Sequence, residues 1–165
     1  MMQGVLKSGI LGVFLILLLM CSCATENSVS PRRLPDAVIN KNAARGNEML
    51  VMLRLEDGEE LPCIVDTGSP CTVLDISLEP KLGKRLGTVT LWNFGSRLQS
   101  SVYAAPKLFL GNAPLAMSGN GILTMDFNPW SAKAGCSIMG FLGMDALENY
   151  CIQMDFEAGQ LRFLD

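Results

Sequence analysis

Among the side chains of this chain that could do chemistry, Asp66 stands in the most pointed setting. The apolar run Leu61-Pro62-Cys63-Ile64-Val65 leads directly into Asp66-Thr67-Gly68-Ser69, and a second short run, Thr72-Val73-Leu74, follows. A carboxylate at the tip of an apolar strand is costly unless its oxygens are hydrogen-bonded. The flanking residues can supply those bonds. Gly68 permits a sharp turn and a close approach of backbone N–H groups, Ser69 offers a hydroxyl to an Asp66 oxygen, and Thr67 offers a bracing hydroxyl turned inward. A carboxylate held in this way suits acid–base work. The plainer reading is turn chemistry, for which Asp and Gly are ordinary residues.

The remaining reactive residues narrow the choice. There is no histidine, which excludes Ser-His-Asp triads, Cys-His pairs and most zinc or iron sites. Acid–base chemistry falls to carboxylates, lysines, cysteines and tyrosines. Cys63, Cys71, Cys136 and Cys151 follow the N-terminal region. They form an even set that an oxidising compartment would allow to pair in any of three ways, or they are buried free thiols. No Cys-x-x-Cys knuckle supports a zinc site, and neither a metal nor a cofactor is expected. Cys63 and Cys71 flank Asp66, but they lack the spacing and the strand–helix alternation of a thiol redox protein. The net charge of -3 and the absence of a basic run interleaved with aromatics argue against a nucleic-acid partner.

The elements that must position Asp66 read as β structure. Turn signals recur every several residues: Asp57-Gly58, Asp66-Thr67-Gly68, Leu82-Gly83, Phe94-Gly95, Gly111-Asn112, Gly119-Asn120-Gly121 and Ala158-Gly159. Apolar or β-branched runs fill the gaps. Strands are expected over 49–55, 61–65, 72–74, 88–92, 98–104, 107–110, 138–142, 152–156 and 161–164. One short helix is expected near the C-terminus, within 145–150, with Asp145 as its cap. No internal repeat is visible, and in particular no second Asp-Thr-Gly.

Ahead of this unit, Lys7, the apolar run 10–20 and the small residues Cys21-Ser22-Cys23-Ala24-Thr25 form a signal-peptide pattern over 1–24. Ser22-Cys23-Ala24 suits ordinary cleavage, whereas Leu19-Met20-Cys21-Ser22-Cys23 resembles a loose lipobox, with Cys23 as the lipidation candidate. The run is short for a membrane span, so an uncleaved anchor is the weaker alternative. Residues 25–45 are polar, carry Pro31 and Pro35, show no periodicity and read as a linker. The folded unit is expected over 46–165, one domain with a modest core.

The apolar-apolar-Asp-Thr-Gly-Ser segment resembles the active-site turn of the aspartic peptidases. Phe141-Leu142-Gly143-Met144-Asp145-Ala146-Leu147, which begins 75 residues after Asp66, is similar to the segment that packs under that turn in retropepsins. Tyr150-Cys151-Ile152-Gln153-Met154-Asp155-Phe156 reads as the strand that follows. The likeness extends over about 49–164, with its specificity in those two segments, and is to exported bacterial members of the group.

The resemblance implies an all-β fold, a closed or partly closed retropepsin-like β-barrel. Phe141, Leu142 and Gly143 would lie beneath the site, and a flap hairpin over 90–97 would cover substrate with Trp92, Phe94 and Gly95. It also implies a hydrolase that cleaves peptide bonds with Asp66 as its catalytic carboxylate, supported by Thr67, Gly68 and Ser69. Such chemistry uses two facing carboxylates sharing a proton, one acting as base toward water and the other as acid toward the peptide carbonyl. Asp57, Asp75, Asp126 and Asp155 lack a following Thr-Gly or Ser-Gly, so a homodimer pairing two copies of Asp66 is expected. Ser69-Pro70 and Met144-Asp145 stand where retroviral enzymes carry an ion pair, and 157–160 turns the chain into an extra final strand, so the interface would differ. The partners implied are a peptide or protein substrate, a second copy, and the membrane through the leader or a lipid anchor. The location would be the periplasm or cell envelope. The competing reading is a non-catalytic envelope lipoprotein or binding protein on the same fold.

Overall fold

Alternation of buried apolar and exposed side chains makes strands the main regular element of the described residues. A computed structural model describes residues 33–43, 45–93, 96–119 and 121–164. The leader, with Cys23, lies outside the described residues, as do Phe94 and Gly95. The strands are β1 (Ala37–Val38), β2 (Leu50–Leu55), β3 (Glu60–Val65), β4 (Val73–Asp75), β5 (Arg85–Asn93), β6 (Ser96–Ala104), β7 (Leu108–Leu110), β8 (Ala113–Pro114), β9 (Gly121–Met125), β10 (Gly140–Leu142), β11 (Cys151–Asp155) and β12 (Gln160–Leu164). A 3-10 helix spans Ile76–Lys81, and two short α-helices follow, α1 (Asn128–Ala134) and α2 (Met144–Leu147).

Nine strands form one sheet in the order β5-β6-β9-β4-β10-β3-β2-β7-β8, and three form another in the order β1-β12-β11. The fold is therefore mostly β, as expected. The larger sheet is open, since β5 and β8 are its two ends and do not pair with each other, so the closed form of the expected barrel is not made. Two α-helices rather than one are present among the described residues. The missed one, α1, opens at Asn128-Pro129 and ends at Gly135 in the left-handed region (φ 68°). Those are ordinary start and stop signals, but the helix is too short to show a 3.6-residue period. Strand β9 also lies outside the expected strands, because its first residue, Gly121, belongs to the Gly119-Asn120-Gly121 turn signal of the sequence.

Two apolar clusters cover the two faces of the central strands. In β2, Val51, Leu53 and Leu55 are buried on one side while Met52 is exposed. In β3, Leu61, Cys63 and Val65 join that same main core, whereas Ile64 faces the other way into a smaller cluster with Val73, Leu123, Phe127 and Ile138. Packing also begins earlier than the linker reading allowed. Leu34, Ile39 and Ala43 are buried in the main core, β1 pairs with β12 through Ala37↔Leu161 and Val38↔Gln160, and the Ile39 N–H donates to the Gly159 carbonyl at 3.0 Å. These apolar residues are spaced without a regular period inside a polar stretch, so neither periodicity template finds them.

Candidate active site

The Asp66 turn is locked by a strand from far along the chain. β3 and β4 run into and out of the turn, and β10 lies between them. It is parallel to β3 (Gly140↔Cys63, Phe141↔Ile64, Leu142↔Val65) and antiparallel to β4 (Gly140↔Leu74, Phe141↔Val73). The Asp66 N–H continues that ladder by donating to the Leu142 carbonyl at 3.0 Å. Sequence thus brought together the two segments that the structure joins, 66–69 and 141–143. Gly143 is required by space: a Cβ there would collide with the Cys71 carbonyl and the Thr72 nitrogen.

Within the turn the bonds are divided differently from the expectation. The Gly68 N–H donates to Asp66 Oδ1 at 3.0 Å, as read from the sequence. Gly68 does not have a positive φ, so its small size serves the approach to Asp66, whose Oδ1 would lie 3.2 Å from an added Cβ. Ser69 does not reach the Asp66 carboxylate with its hydroxyl. Its Oγ donates to the Cys71 carbonyl at 2.7 Å, while its N–H donates to the Asp66 carbonyl at 3.1 Å. Thr67 is exposed rather than turned inward.

The bracing hydroxyl is that of Thr72, which sequence reading passed over. Thr72 Oγ1 donates to Asp145 Oδ1 at 2.6 Å and accepts the Gly143 N–H at 3.1 Å, with all three residues buried. Asp145 therefore does not cap its helix. Gly143 is the N-cap residue of α2 and Asp145 sits in the first turn. Its Oδ2 is buried and meets no hydrogen-bond partner among the described residues. The Met144 N–H to Ser69 carbonyl bond, 2.9 Å, closes this brace from α2 to the turn. Cys71 lies beside it: burial, and secondarily the Asp145 carboxylate, push its thiol above the ordinary range, against an opposing hydrogen bond from Ser69.

Ile64, on the strand that leads into the Asp66 turn, faces the smaller cluster. Phe141, in register with Ile64, meets Phe127 edge-on at 4.8 Å and Trp130 at 5.0 Å between ring centroids. The hairpin of β5 and β6 leans over this cluster through Leu91 and Val102. Only Ser101–Ala104 of β6 pair with β9, so the outer part of the hairpin is a two-stranded arm. Trp92 is 70% exposed on that arm, with the Arg97 guanidinium 4.8 Å from its ring centroid. Among the described residues no hydrogen bond joins Trp92 to the Asp66 turn.

Asp75 holds another border of the site. One oxygen accepts the Ser77 N–H at 2.9 Å and the other accepts the Phe127 N–H at 2.9 Å, fixing the loop that enters α1. Burial raises its carboxyl, but the bonds from Ser77 and Phe127 outweigh that and leave it below the ordinary Asp range. The four cysteines of the described unit are all free thiols, so none of the three pairings is formed; Cys63 and Cys71 lie inside or partly inside, Cys136 and Cys151 outside. Burial pushes the Cys63 thiol far up. Among the described residues no cluster of three or more Cys, Asp or Glu side chains is placed to hold a metal ion. No family model matches the chain, and comparison with curated proteins finds no significant relative.

Proposed function

We propose that this chain is an exported aspartic endopeptidase of the retropepsin-like kind, active as a homodimer in which Asp66 from each copy faces the other. The observation that carries the reading is the threading of β10 between β3 and β4, which fixes the Asp66 turn from beneath by the Asp66 N–H to Leu142 carbonyl bond. Preorganisation of this sort is what a carboxylate needs to address a bound water. The open sheet is read as a partly closed barrel, and the β5–β6 arm as the flap. One copy supplies one such aspartate, so water activation and carbonyl protonation are divided between two copies. The leader directs export to the periplasm or envelope, with Cys23 as the lipid anchor if the lipobox is used. Among the described residues no helix is long and apolar enough to cross a membrane.

One observation favours the second reading, a non-catalytic envelope or binding protein. The bond from the residue two ahead onto the Asp carboxylate recurs at Asp57, Asp75 and Asp126 as well as at Asp66, so by itself it marks a turn. Cleavage separates the two. A diverse peptide library incubated with the chain between mildly acidic and neutral pH should be cut, and Asp66→Asn should lower the rate by at least about 10²- to 10⁴-fold. Undiminished cleavage by the variant would refute the role given to Asp66. No cleavage by either, with a strictly monomeric sedimentation profile, supports the binding protein.

A further inference from the structure

We propose that the β5–β6 arm is a lipid-binding hairpin that docks on the headgroup layer of an anionic phospholipid membrane; this goes beyond the peptidase reading and does not rest on it. Charge points to it first. Residues 80–125 carry five cations, Lys81, Lys84, Arg85, Arg97 and Lys107, and neither an Asp nor a Glu, although the net charge of the chain is -3. Lys81 is neutralised by Asp57 and Glu59, and Lys107 by Glu56. Lys84, Arg85 and Arg97 form no ion pair among the described residues. The Glu79 carboxylate, at the root of the arm, already accepts the Tyr103 and Thr124 hydroxyls. The arm therefore presents positive charge that nothing on it offsets.

Exposed apolar surface gathers on the same hairpin. Leu86, Val89, Trp92 and Leu98 are four of the nine large apolar side chains exposed among the described residues. The register from Gly87 to Asn93 is unbroken, so cross-strand partners share a face. Trp92 stands with Arg97 on one face; Val89 and Leu98 lie on the other, with Leu91, which packs on the smaller cluster. Arg85 reaches the Trp92 face from the root, donating to Thr88 Oγ1 at 2.7 Å. A rigid partner surface covers one face of a two-stranded ribbon and leaves the other wet, whereas a fluid headgroup layer surrounds both. Tryptophan, apolar with one N–H donor, suits that boundary, and a guanidinium fork matches a lipid phosphate.

Reach and depth agree with this. The root is fixed, since Ser101–Ala104 pair with β9 and Ser100 Oγ donates to the Thr124 carbonyl at 2.8 Å. Residues 96–99 of β6 stand beyond it and span roughly 14 Å as strand. A headgroup layer is roughly 5–8 Å deep, so the end of the arm enters it while the sheet stays outside. β5 is the end strand of the larger sheet, and the backbone groups on its outer edge need water. The arm therefore rests among headgroups and goes no deeper.

Binding of the full chain to vesicles, read at the arm itself, tests this. Vesicles of phosphatidylglycerol and phosphatidylcholine, brominated on their acyl chains near the headgroup, should quench tryptophan emission saturably. The chain has two tryptophans, and Trp130 packs on Phe141, so Trp92→Phe should abolish the quenching. Arg85→Gln combined with Arg97→Gln should raise the lipid concentration required about 25-fold, about fivefold for each cation. On the wild-type chain alone, salt near 1 M, which cuts the Debye length to about 3 Å, should release most of the quenching. Sedimentation with vesicles but no quenching would place the contact in the leader and overturn the proposal. Quenching that survives Trp92→Phe, that is equal with phosphatidylcholine alone, or that salt does not move overturns it as well. Emission that responds to soluble polyglutamate and not to vesicles overturns the lipid in favour of an acidic protein partner. None of these measurements involves cleavage, so a negative result leaves the peptidase reading standing, and loss of that reading leaves the lipid site standing.

Discussion

The hydroxyl of Thr72 joins a residue of the turn's exit to two residues more than seventy positions away, Gly143 and Asp145. Replacing it by Val keeps the shape but leaves a buried N–H and a buried carboxylate oxygen without their partner, which costs about 1–3 kcal/mol. Thr72→Val should therefore lower unfolding stability by that amount in a denaturant titration, and Thr72→Ser should recover most of it. Equal stability of Thr72→Val and wild type would remove the brace from the account of the site. Asp75 makes a pH-dependent contribution of the same kind. Its folded pKa lies below the unfolded value of 3.8, so its stabilisation is fully present above that value and is lost as pH falls through the folded one. Asp75→Asn should thus be less stable than wild type at neutral pH, and the gap should narrow below about pH 4. A gap of constant size across the acid range would show that the bonds to Ser77 and Phe127 do not depend on the charge.

Elements meet at the Asp66 turn with almost no free volume, and that is where a small change should have a large effect. Gly143 lets the backbone between β10 and α2 pass against Cys71 and Thr72, with no room for a Cβ. Gly143→Ala should cost at least about 1–3 kcal/mol through this overpacking, seen as a lowered unfolding midpoint; an unchanged midpoint would mean that the crossing can relax. This pairing of segments was legible before the structure, because Asp66-Thr67-Gly68 and Phe141-Leu142-Gly143 each carry a distinctive residue order. Strands such as β2, β3 and β12 were legible too, since they follow apolar runs bounded by turns. The brace was not. Thr72 reads as the first residue of a β-branched run and Asp145 as a helix cap, and only the crossing of β10 brings them within 2.6 Å. Trp130 was equally silent, because a seven-residue helix offers no apolar period and its contact with Phe141 is purely tertiary.

At the scale of the whole molecule, the peptidase reading makes a demand that no single chain meets: the chemistry needs two carboxylates, and one copy presents one Asp66 turn. The final hairpin bears on how copies could meet. β12 folds back on β11 and also takes up β1, so these chain segments pair within one copy, and the turn between β11 and β12 is held by Asp155. The Asp155 carboxylate accepts the Ala158 N–H at 2.8 Å and the Arg162 guanidinium at 3.0 Å. A dimer would therefore be built from already paired strands and would be free to dissociate without unfolding, which makes activity depend on concentration. Mixing is the sharper test. When wild-type chain is combined with excess Asp66→Asn chain under exchange, each mixed dimer holds only one working carboxylate. The activity remaining should follow the square of the wild-type fraction, so that a one-to-one mixture retains about a quarter of the activity of the same total concentration of wild type. A linear fall, to about one half, would mean that each chain works alone and that the second carboxylate comes from within it.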